Sequence, residues 1–348
     1  MSAGTDDVKI DHHALVTSLS EALGLVGGKI IDHGKRVAHI ALNLARTMDL
    51  SEDELDDLYM AALLHDAGVS RTRTHRLLMQ FDWEGAFEHC QDGAALVKPF
   101  PPFDRVADII LHHHTKWSEL AELDVPLRTA LMANLVFLAD RIDILLDWNR
   151  ELLLSRPNVE ARLTELAGHY FNPRAVAAFR ERARVEVFWL SLYPRHLPWS
   201  LSNLAPRRVK FFNLDELESI AGIFARIVDN KSPFTRHHSE GVARLCDYFA
   251  QGEGLADQTR QKLRVCGLLH DLGKLAVPDE ILEKPAELTP EEFQIIKRHP
   301  FDTHHVLSGL DGIEDIREWA AYHHEKIDGS GYPFHIDGRS PEPEHFIV

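Results

Sequence analysis

The 348-residue sequence contains little cysteine, no long apolar run and a deficit of positive charge. Its three cysteines, Cys90, Cys246 and Cys266, form no CxxC pair, which argues against a secreted disulfide scaffold. The longest largely apolar run, about Ala133 to Ala139, is far too short to span a bilayer. The polar N-terminus also lacks the apolar core of a signal peptide. We therefore predict a cytoplasmic protein with no membrane partner.

The charge balance narrows the range of partners. Acidic residues outnumber basic residues by 54 to 38, which gives a formal net charge of −16. Because such a surface repels polyanions, we expect no DNA or RNA partner. An anionic small substrate is still compatible, since bound metal cations can dominate the local field of a pocket.

Strand patterns are scarce, whereas helical periodicity is found in nearly every long segment. Apolar residues between Val37 and Ala45 recur at helical spacing. A second such pattern starts behind Ser51, with Glu54 three residues later, which predicts a capping box at a helix N-terminus. The sequence therefore predicts an all-α fold.

Prolines mark the predicted joints of the chain. Pro99, Pro101 and Pro102 separate two helices of the first half, and a second proline-containing stretch runs from Pro157 to Pro206. Since the second stretch is rich in Phe, Leu and Trp, we predict helical connecting structure there. The predicted organisation is an N-terminal domain over residues 1–150, a helical connector over 151–207 and a C-terminal domain over 208–348.

One ordered series of histidines and aspartates is written twice. The first copy consists of His33, His65, Asp66, His89, His113, His114 and Asp140. The second copy consists of His238, His270, Asp271, His299, His323 and His324. In both copies the first His precedes the His-Asp pair by 32 residues, and the lone His precedes the His-His pair by 24. Matching residue types at matching spacings indicate a duplicated metal-binding domain.

Imidazole and carboxylate ligands arriving from separate helices can hold a closely spaced pair of divalent metal ions. Adjacent His and Asp side chains can reach one site only near a helix end, and we expect Gly68 and Gly273 to supply that end. The remaining histidines, His75 among them, have no counterpart in the series. We expect them at the surface or in packing.

The first copy resembles the H…HD…D signature of the HD phosphohydrolase superfamily. The second copy is similar to one branch, the HD-GYP phosphodiesterases, because it carries SPFTRHHSEGVARL, LLHDLGKLAVPDEIL, KRHP and HHEKIDGSGYP in order over about residues 230–341. This resemblance implies helical domains with iron or manganese ions and a role in bacterial signalling. It also implies hydrolysis of cyclic di-GMP or 3'3'-cyclic GMP-AMP to linear products. The tandem layout resembles members that act on cyclic GMP-AMP.

The resemblance assigns roles to residues of the second copy. Six of them would hold two metal ions, namely His238, His270, Asp271, His299, His323 and His324. Asp271 would bridge the two ions, and Lys274 would contact the scissile phosphate as a point charge. The loop that names the branch would shape the substrate mouth or dock GGDEF-type diguanylate cyclases, and it contains Gly329, Gly331, Tyr332 and Pro333.

Two departures from the family pattern concern the second copy. The family's terminal Asp is absent before Val348, which we interpret as a truncation, and we expect an Asp within the next few encoded residues. Trinuclear members carry a Glu where this chain has Phe234, so we favour two metal ions over three.

The first copy keeps all seven ligand types but has Val69 where the second copy has Lys274, and it has no GYP loop. Three uses of this copy stay open: sensing a nucleotide, supporting the second domain structurally, or hydrolysing a different phosphoester. A catalytically impaired module that binds cyclic dinucleotides or docks a partner is the alternative function for the chain. The sequence also leaves the metal identity, the choice of nucleotide and a homodimer open.

Overall fold

The computed structural model describes residues 9–27, 32–78, 86–206, 210–232 and 237–336. These residues are mainly helical, and their only named strands form one antiparallel pair of β1 (Ile10–Asp11) and β2 (Phe211–Phe212). The predicted all-α class is confirmed. Within the described ranges, no helix combines the length and the apolar character needed to cross a membrane.

The chain divides into two compact units, which we call the N-terminal and the C-terminal unit. Among the described residues, the N-terminal unit contains 32–69 and 74–206, and the C-terminal unit contains 9–27, 70–73 and 210–336. The last change of unit falls next to the predicted boundary at 208, and no change of unit falls at the predicted boundary at 150. The first helix packs into the C-terminal unit, and the predicted connector packs into the N-terminal unit.

The N-terminal unit is a helical bundle, and its helices are named here in the order of the sequence. They are α2 (His33–Ala45), α3 (Glu52–Leu64), α4 (Thr72–Leu78), α5 (Ala86–Val97), α6 (Asp104–His112), α7 (Trp117–Leu120), α8 (Leu127–Ile144), α9 (Arg156–Glu165), α10 (Pro173–Arg182), α11 (Glu186–Leu190) and α12 (Leu197–Leu204). Helix α2 packs between α3 and α8. The predicted capping box is present at the start of α3, where Ser51 and Glu54 each bond the other's backbone N–H. As predicted, a proline-rich turn over Pro101–Phe103 separates α5 from α6.

The C-terminal unit repeats the same order of site-bearing helices. It contains α1 (His12–Gly24), α13 (Leu214–Asp229), α14 (His238–Gly252), α15 (Asp257–Leu269), α16 (Asp279–Leu282), α17 (Pro290–Ile296), α18 (His299–Leu307) and α19 (Glu314–Ala321). A short 3₁₀ helix over Leu272–Ala276 follows α15 and packs against α18.

The segment predicted as a connector is helical, and its aromatic residues explain why it packs rather than flexes. Phe171, Phe179 and Trp189 are fully buried. On α8, the buried Asn134 donates to the carbonyl of Tyr170 and accepts from the backbone of Asn172. Burial of these rings favours a fixed position for α9 to α12 on the N-terminal unit.

Helix α1 is fixed within the C-terminal unit by polar and apolar contacts. The hydroxyl of Ser18 donates to the carbonyl of Val306 on α18. At the start of α1, Ile10 pairs with Phe212 in the strand pair, and Leu15, Val16 and Leu19 are buried. No pattern in the sequence links the first 27 residues to a segment 200 positions later.

His39 gives the N-terminal unit an expected acid sensitivity. Its ring bonds the hydroxyl of Ser200, and burial lowers the pKa of His39 to about 4. Because the unfolded chain takes up this proton at higher pH than the folded chain, stability is lost as pH falls from about 6.5 towards 4. We expect this residue to remove about 2 kcal/mol of unfolding free energy between pH 7 and pH 5.

Urea unfolding of the wild type and of His39→Gln at both pH values measures this contribution. The variant should lose less stability on acidification, whereas a matched change at the exposed His169, His169→Gln, should leave the wild-type pH dependence intact. An identical pH dependence in wild type and His39→Gln would refute the assignment.

Candidate metal centre

Each histidine series is placed by the ends of helices rather than by their middles. The first His of each copy begins a helix, His33 on α2 and His238 on α14. The residue before each of them, Asp32 and His237, has a positive φ of 67° and 65°. The His-Asp pairs follow the last residues of α3 and α15, so the predicted position at a helix end is confirmed.

The glycines after the His-Asp pairs have a different function from the one predicted. Neither Gly68 nor Gly273 has a positive φ, so neither supplies a left-handed helix cap. A Cβ on Gly68 would lie 2.1 Å from the carbonyl oxygen of His89, and one on Gly273 would lie 2.0 Å from that of His299. Both glycines therefore allow the His-Asp segment to approach the backbone that carries the lone His.

The structure brings all six predicted residues of the second copy together. The two carboxylate oxygens of Asp271 face different histidines: Oδ2 lies 3.6 Å from His238 Nε2 and 3.1 Å from His270 Nε2. Oδ1 lies 3.4 Å from His299 Nε2 and 3.7 Å from His323 Nε2. Two compact groups of possible metal ligands result, each within 4.8 Å: His238, His270 and Asp271, and His299, His323 and His324. Asp271 lies between them.

Backbone carbonyls fix the orientation of these imidazoles. The Nδ1 atoms of His270, His299 and His323 lie 2.8, 2.6 and 2.8 Å from the carbonyl oxygens three residues earlier. Since a carbonyl can only accept, each Nδ1 must carry the proton, and each neutral Nε2 then presents a lone pair. The Nε2 atoms of His299 and His323 are 3.0 Å apart, so their lone pairs face each other.

The electrostatics of the cluster favour neutral rings around an ionised carboxylate. Burial lowers the pKa of His299 to about 4 and holds the pKa of His323 well below its usual value. Burial by itself raises the pKa of Asp271. The interaction and hydrogen bond with His270, together with the positive charge of Lys274, outweigh burial and hold that pKa well below its usual value. Lys274 Nζ donates to Asp271 Oδ2 at 2.5 Å, so the predicted phosphate contact lies at the edge of the cluster.

The first copy forms a similar cluster in the N-terminal unit. Asp66 Oδ2 lies 3.7 Å from His33 Nε2 and 3.5 Å from His65 Nε2, and Oδ1 lies 3.8 Å from His89 Nε2. Helix α8 adds Asp140, whose Oδ1 and Oδ2 lie 3.3 Å from His33 Nε2 and 3.8 Å from His114 Nε2.

His113 completes the first cluster. Its Nε2 lies 3.2 Å from that of His89, and its Nδ1 lies 2.6 Å from the carbonyl oxygen of Ile110. All seven predicted residues of the first copy are therefore adjacent.

Several residues around the first cluster were missed by the sequence analysis. Asp143 accepts from His33 Nδ1 at 2.7 Å, and it also binds Arg36. Asp140 and Asp143 outweigh the effect of burial and raise the pKa of His33 to about 10, a sign of strong negative potential. Arg141 donates twice to Asp140 Oδ2, at 3.0 and 2.6 Å.

One missed residue of α8, Asp143, follows a helical spacing that could have revealed it. Asp143 stands one helical turn after Asp140, on the same face. A cleft beside the cluster is lined by His33, Asp66, His114 and Asp140 together with His75 and Arg141. His75 therefore lies at the site, although it has no counterpart in the series.

The GYP loop is attached directly to the second cluster. The ring of Tyr332 stacks on His324, with centroids 4.7 Å apart, and its backbone N–H donates to the carbonyl of His324. Glu325, the next residue after His324, accepts hydrogen bonds from the backbone of Phe334, His335 and Ile336.

Two glycines make this loop geometry possible. A Cβ on Gly331 would lie 2.4 Å from the Cα of Glu325, and Gly329 has a φ of 74°. Pro333 follows Tyr332 in the same loop. The loop therefore folds back against His324 and Glu325.

Both clusters fit divalent cations. Among the described residues, the buried atoms without a hydrogen-bond partner include three in the clusters, namely Asp271 Oδ1, His65 Nε2 and His89 Nδ1. The facing lone pairs of His299 and His323 are repulsive without a positive charge nearby. Imidazoles whose other nitrogen is held by a carbonyl, beside an ionised carboxylate, form the ligand set expected for Zn²⁺, Fe²⁺ or Mn²⁺. Phe234 and the positions near Val348, which bear on a third ion and on the terminal Asp, lie outside the described residues.

Comparisons with known proteins agree with this duplication. Family models described as "HD domain" match residues 30–145 and 222–340. The chain is 36% identical over 329 residues to the 3'3'-cGAMP-specific phosphodiesterase 1 of Vibrio cholerae serotype O1, which covers 92% of this chain and 76% of that protein. It is 41% identical over 108 residues to a cyclic di-GMP phosphodiesterase of Pseudomonas aeruginosa, covering 29% and 25% of the two chains.

A solved structure shows the same fold. The crystal structure of a cyclic GMP-AMP specific phosphodiesterase of V. cholerae superposes with a TM-score of 0.69 at 23% identity, over 97% of this chain and 96% of that chain. With its HHEKIDGSGYP segment in the second copy, the chain belongs to the HD-GYP phosphodiesterases of the HD superfamily and carries a second HD domain before the GYP-bearing one.

Gly273 provides a direct test of the close approach between the His-Asp segment and α18. In Gly273→Ala the added methyl group must displace the His299 backbone, so we expect a loss of about 1–3 kcal/mol of stability and a lower metal content. Gly222→Ala is the matched control, because a Cβ on this α13 residue meets nothing within 4 Å. That variant should gain about 0.5–1 kcal/mol. Equal stability of the two variants would contradict the packing assignment.

Proposed function

We propose that this chain is a metal-dependent phosphodiesterase that hydrolyses a cyclic dinucleotide to a linear product, with its catalytic site in the C-terminal unit. The observation that supports this most strongly is that the two carboxylate oxygens of Asp271 face different histidines. One oxygen faces His238 and His270, and the other faces His299 and His323. A carboxylate placed in this way suits a bridge between two ions.

For the substrate we favour 3'3'-cyclic GMP-AMP over cyclic di-GMP. The relative that matches 92% of this chain is named for cyclic GMP-AMP, whereas the cyclic di-GMP phosphodiesterase from P. aeruginosa matches only 29%. This preference therefore rests on similarity over both HD domains rather than over the GYP-bearing domain alone.

The residues divide into ligands and charge-stabilising groups. We propose that two divalent ions, iron or manganese, are held by His238, His270, Asp271, His299, His323 and His324. When bound, such ions supply Lewis-acid activation of water and of the phosphate. Lys274 exchanges its bond with Asp271 for a non-bridging phosphate oxygen, where its fixed positive charge stabilises the developing negative charge.

The surroundings of the cluster position the substrate. The stacked pair of Tyr332 and His324 places the GYP loop at the rim, where it contacts the nucleotide or docks a GGDEF-type diguanylate cyclase. In the N-terminal unit, the buried Val69 replaces the lysine, and Arg141 binds the Asp140 carboxylate instead. We therefore assign structural or regulatory metal binding to that unit.

Loss of the Asp271 carboxylate tests whether the C-terminal unit carries the activity. In Asp271→Asn, which weakens both ligand groups at once, we expect hydrolysis of 3'3'-cyclic GMP-AMP and of cyclic di-GMP to fall below detection in Mn²⁺ or Fe²⁺. Elemental analysis should show a lower metal content. Asp247→Asn, which changes a carboxylate paired with Arg260 and Arg264, is the control.

The corresponding variant of the first copy discriminates between the units. Activity that survives Asp271→Asn but is lost in Asp66→Asn would move the chemistry to the N-terminal unit. A metal-loaded wild type that binds either nucleotide in calorimetry without forming product would support a binding module instead of an enzyme.

Removal of the lysine charge should affect turnover without affecting the metal. We expect Lys274→Met to lower kcat about 100-fold or more, because a charge aimed at the transition state is lost. The metal content should stay at the wild-type value. Lys284→Met is the matched control, since Lys284 also bonds a carboxylate at 2.5 Å, that of Glu292. A kcat unchanged in Lys274→Met would refute the phosphate contact.

A further inference from the structure

The first cluster contains a sulfur atom, that of Cys90, which has no counterpart in the second cluster. Cys90 directly follows His89, whereas Pro300 stands at the corresponding position after His299. The Cys90 side chain is fully buried and forms no disulfide. Its Sγ lies 3.9 Å from His89 Nε2 and 4.0 Å from His113 Nε2.

We propose that the N-terminal cluster binds zinc through His89, Cys90 and His113, and that the two units thereby hold different metals. These three residues form a compact ligand group within 4.8 Å, and all three are buried. The inference concerns the first copy alone and stands whether or not the second copy hydrolyses a cyclic dinucleotide.

The distances among the three donor atoms fit a tetrahedral ion. With zinc–nitrogen bonds of about 2.0–2.1 Å and a zinc–sulfur bond of about 2.3 Å, the nitrogen–nitrogen edge is about 3.3 Å and each nitrogen–sulfur edge about 3.6 Å. The observed separations are 3.2 Å between the nitrogens and 3.9 and 4.0 Å to the sulfur. Shifts of a few tenths of an ångström close the site.

The surroundings of the three donor atoms also point to a metal ligand site. His113 Nδ1 faces the carbonyl oxygen of Ile110, so its Nε2 lone pair faces the sulfur side of the cluster. Nearby, the buried Nε2 of His65 has no hydrogen-bond partner. Asp66 Oδ1, 3.8 Å from His89 Nε2, is in reach as a fourth donor.

The chemical consequence is a difference in metal preference. Thiolate ligands favour zinc over the harder iron(II) and manganese(II) ions, which suit the imidazole and carboxylate set of the second cluster. On binding, the sulfur–zinc bond forms and the thiol proton leaves to solvent. Among the described residues, neither Cys246 nor Cys266 belongs to a group that could hold a metal, so a metal–sulfur bond would report on Cys90 alone.

Cobalt substitution tests the proposal without any measurement of activity. The full-length protein loaded with Co²⁺ should show a thiolate-to-cobalt charge-transfer band in the near ultraviolet. This band should be lost in Cys90→Ser and retained in Cys246→Ser and in Cys266→Ser, whose thiols are also buried. Competition with a chelator should show zinc affinity weakened at least about tenfold in Cys90→Ser.

X-ray absorption at the zinc edge of the wild type gives a second readout that does not require a folded variant. We expect one sulfur neighbour at about 2.3 Å in the zinc-loaded protein. Three outcomes would overturn the proposal: a band that survives in Cys90→Ser, zinc with only nitrogen and oxygen neighbours, or a wild type that takes up no zinc or cobalt in the N-terminal unit.

Discussion

A buried carboxylate faced by several imidazoles is the constraint on which both units depend. Burial of an ionised Asp is costly unless positive charge compensates it. In the C-terminal unit the histidines around Asp271 commit their Nδ1 protons to backbone carbonyls and leave lone pairs toward the centre. The helix ends must therefore converge closely enough for a cation to satisfy all these groups together, and the glycine contacts at residues 68 and 273 permit this convergence.

The duplication preserved this geometry while the surrounding charges diverged. In the C-terminal cluster, Lys274 is a partly exposed cation paired with Asp271. In the N-terminal cluster, the guanidinium of Arg141 is buried and makes two bonds to Asp140, and Asp143 holds both His33 and Arg36. The lysine pair is thus partly exposed, whereas the arginine pair belongs to a buried hydrogen-bond network.

The sequence predicted the residues of both clusters because the spacing of a duplicated motif survives without any knowledge of the fold. It also predicted the α3 capping box, a local pattern between Ser51 and Glu54. It missed Arg141, and it noted Cys90 only for the lack of a CxxC pair, because the approach of each residue to the cluster depends on packing. The predicted function of Gly68 and Gly273 was wrong because a tight backbone contact and a left-handed cap both favour glycine. The placement of α1 depends on long-range contacts with α18 and β2, for which no local signal exists.

Glu325 has a consequence for how the rim of the C-terminal site behaves. Its carboxylate gathers three backbone amides of the GYP loop, and its neighbour in the chain, His324, carries the stacked Tyr332 ring. Hydrogen bonds and ring stacking thus connect the His323-His324 pair to the GYP loop. A tilt of the His324 ring would therefore move the GYP loop with it.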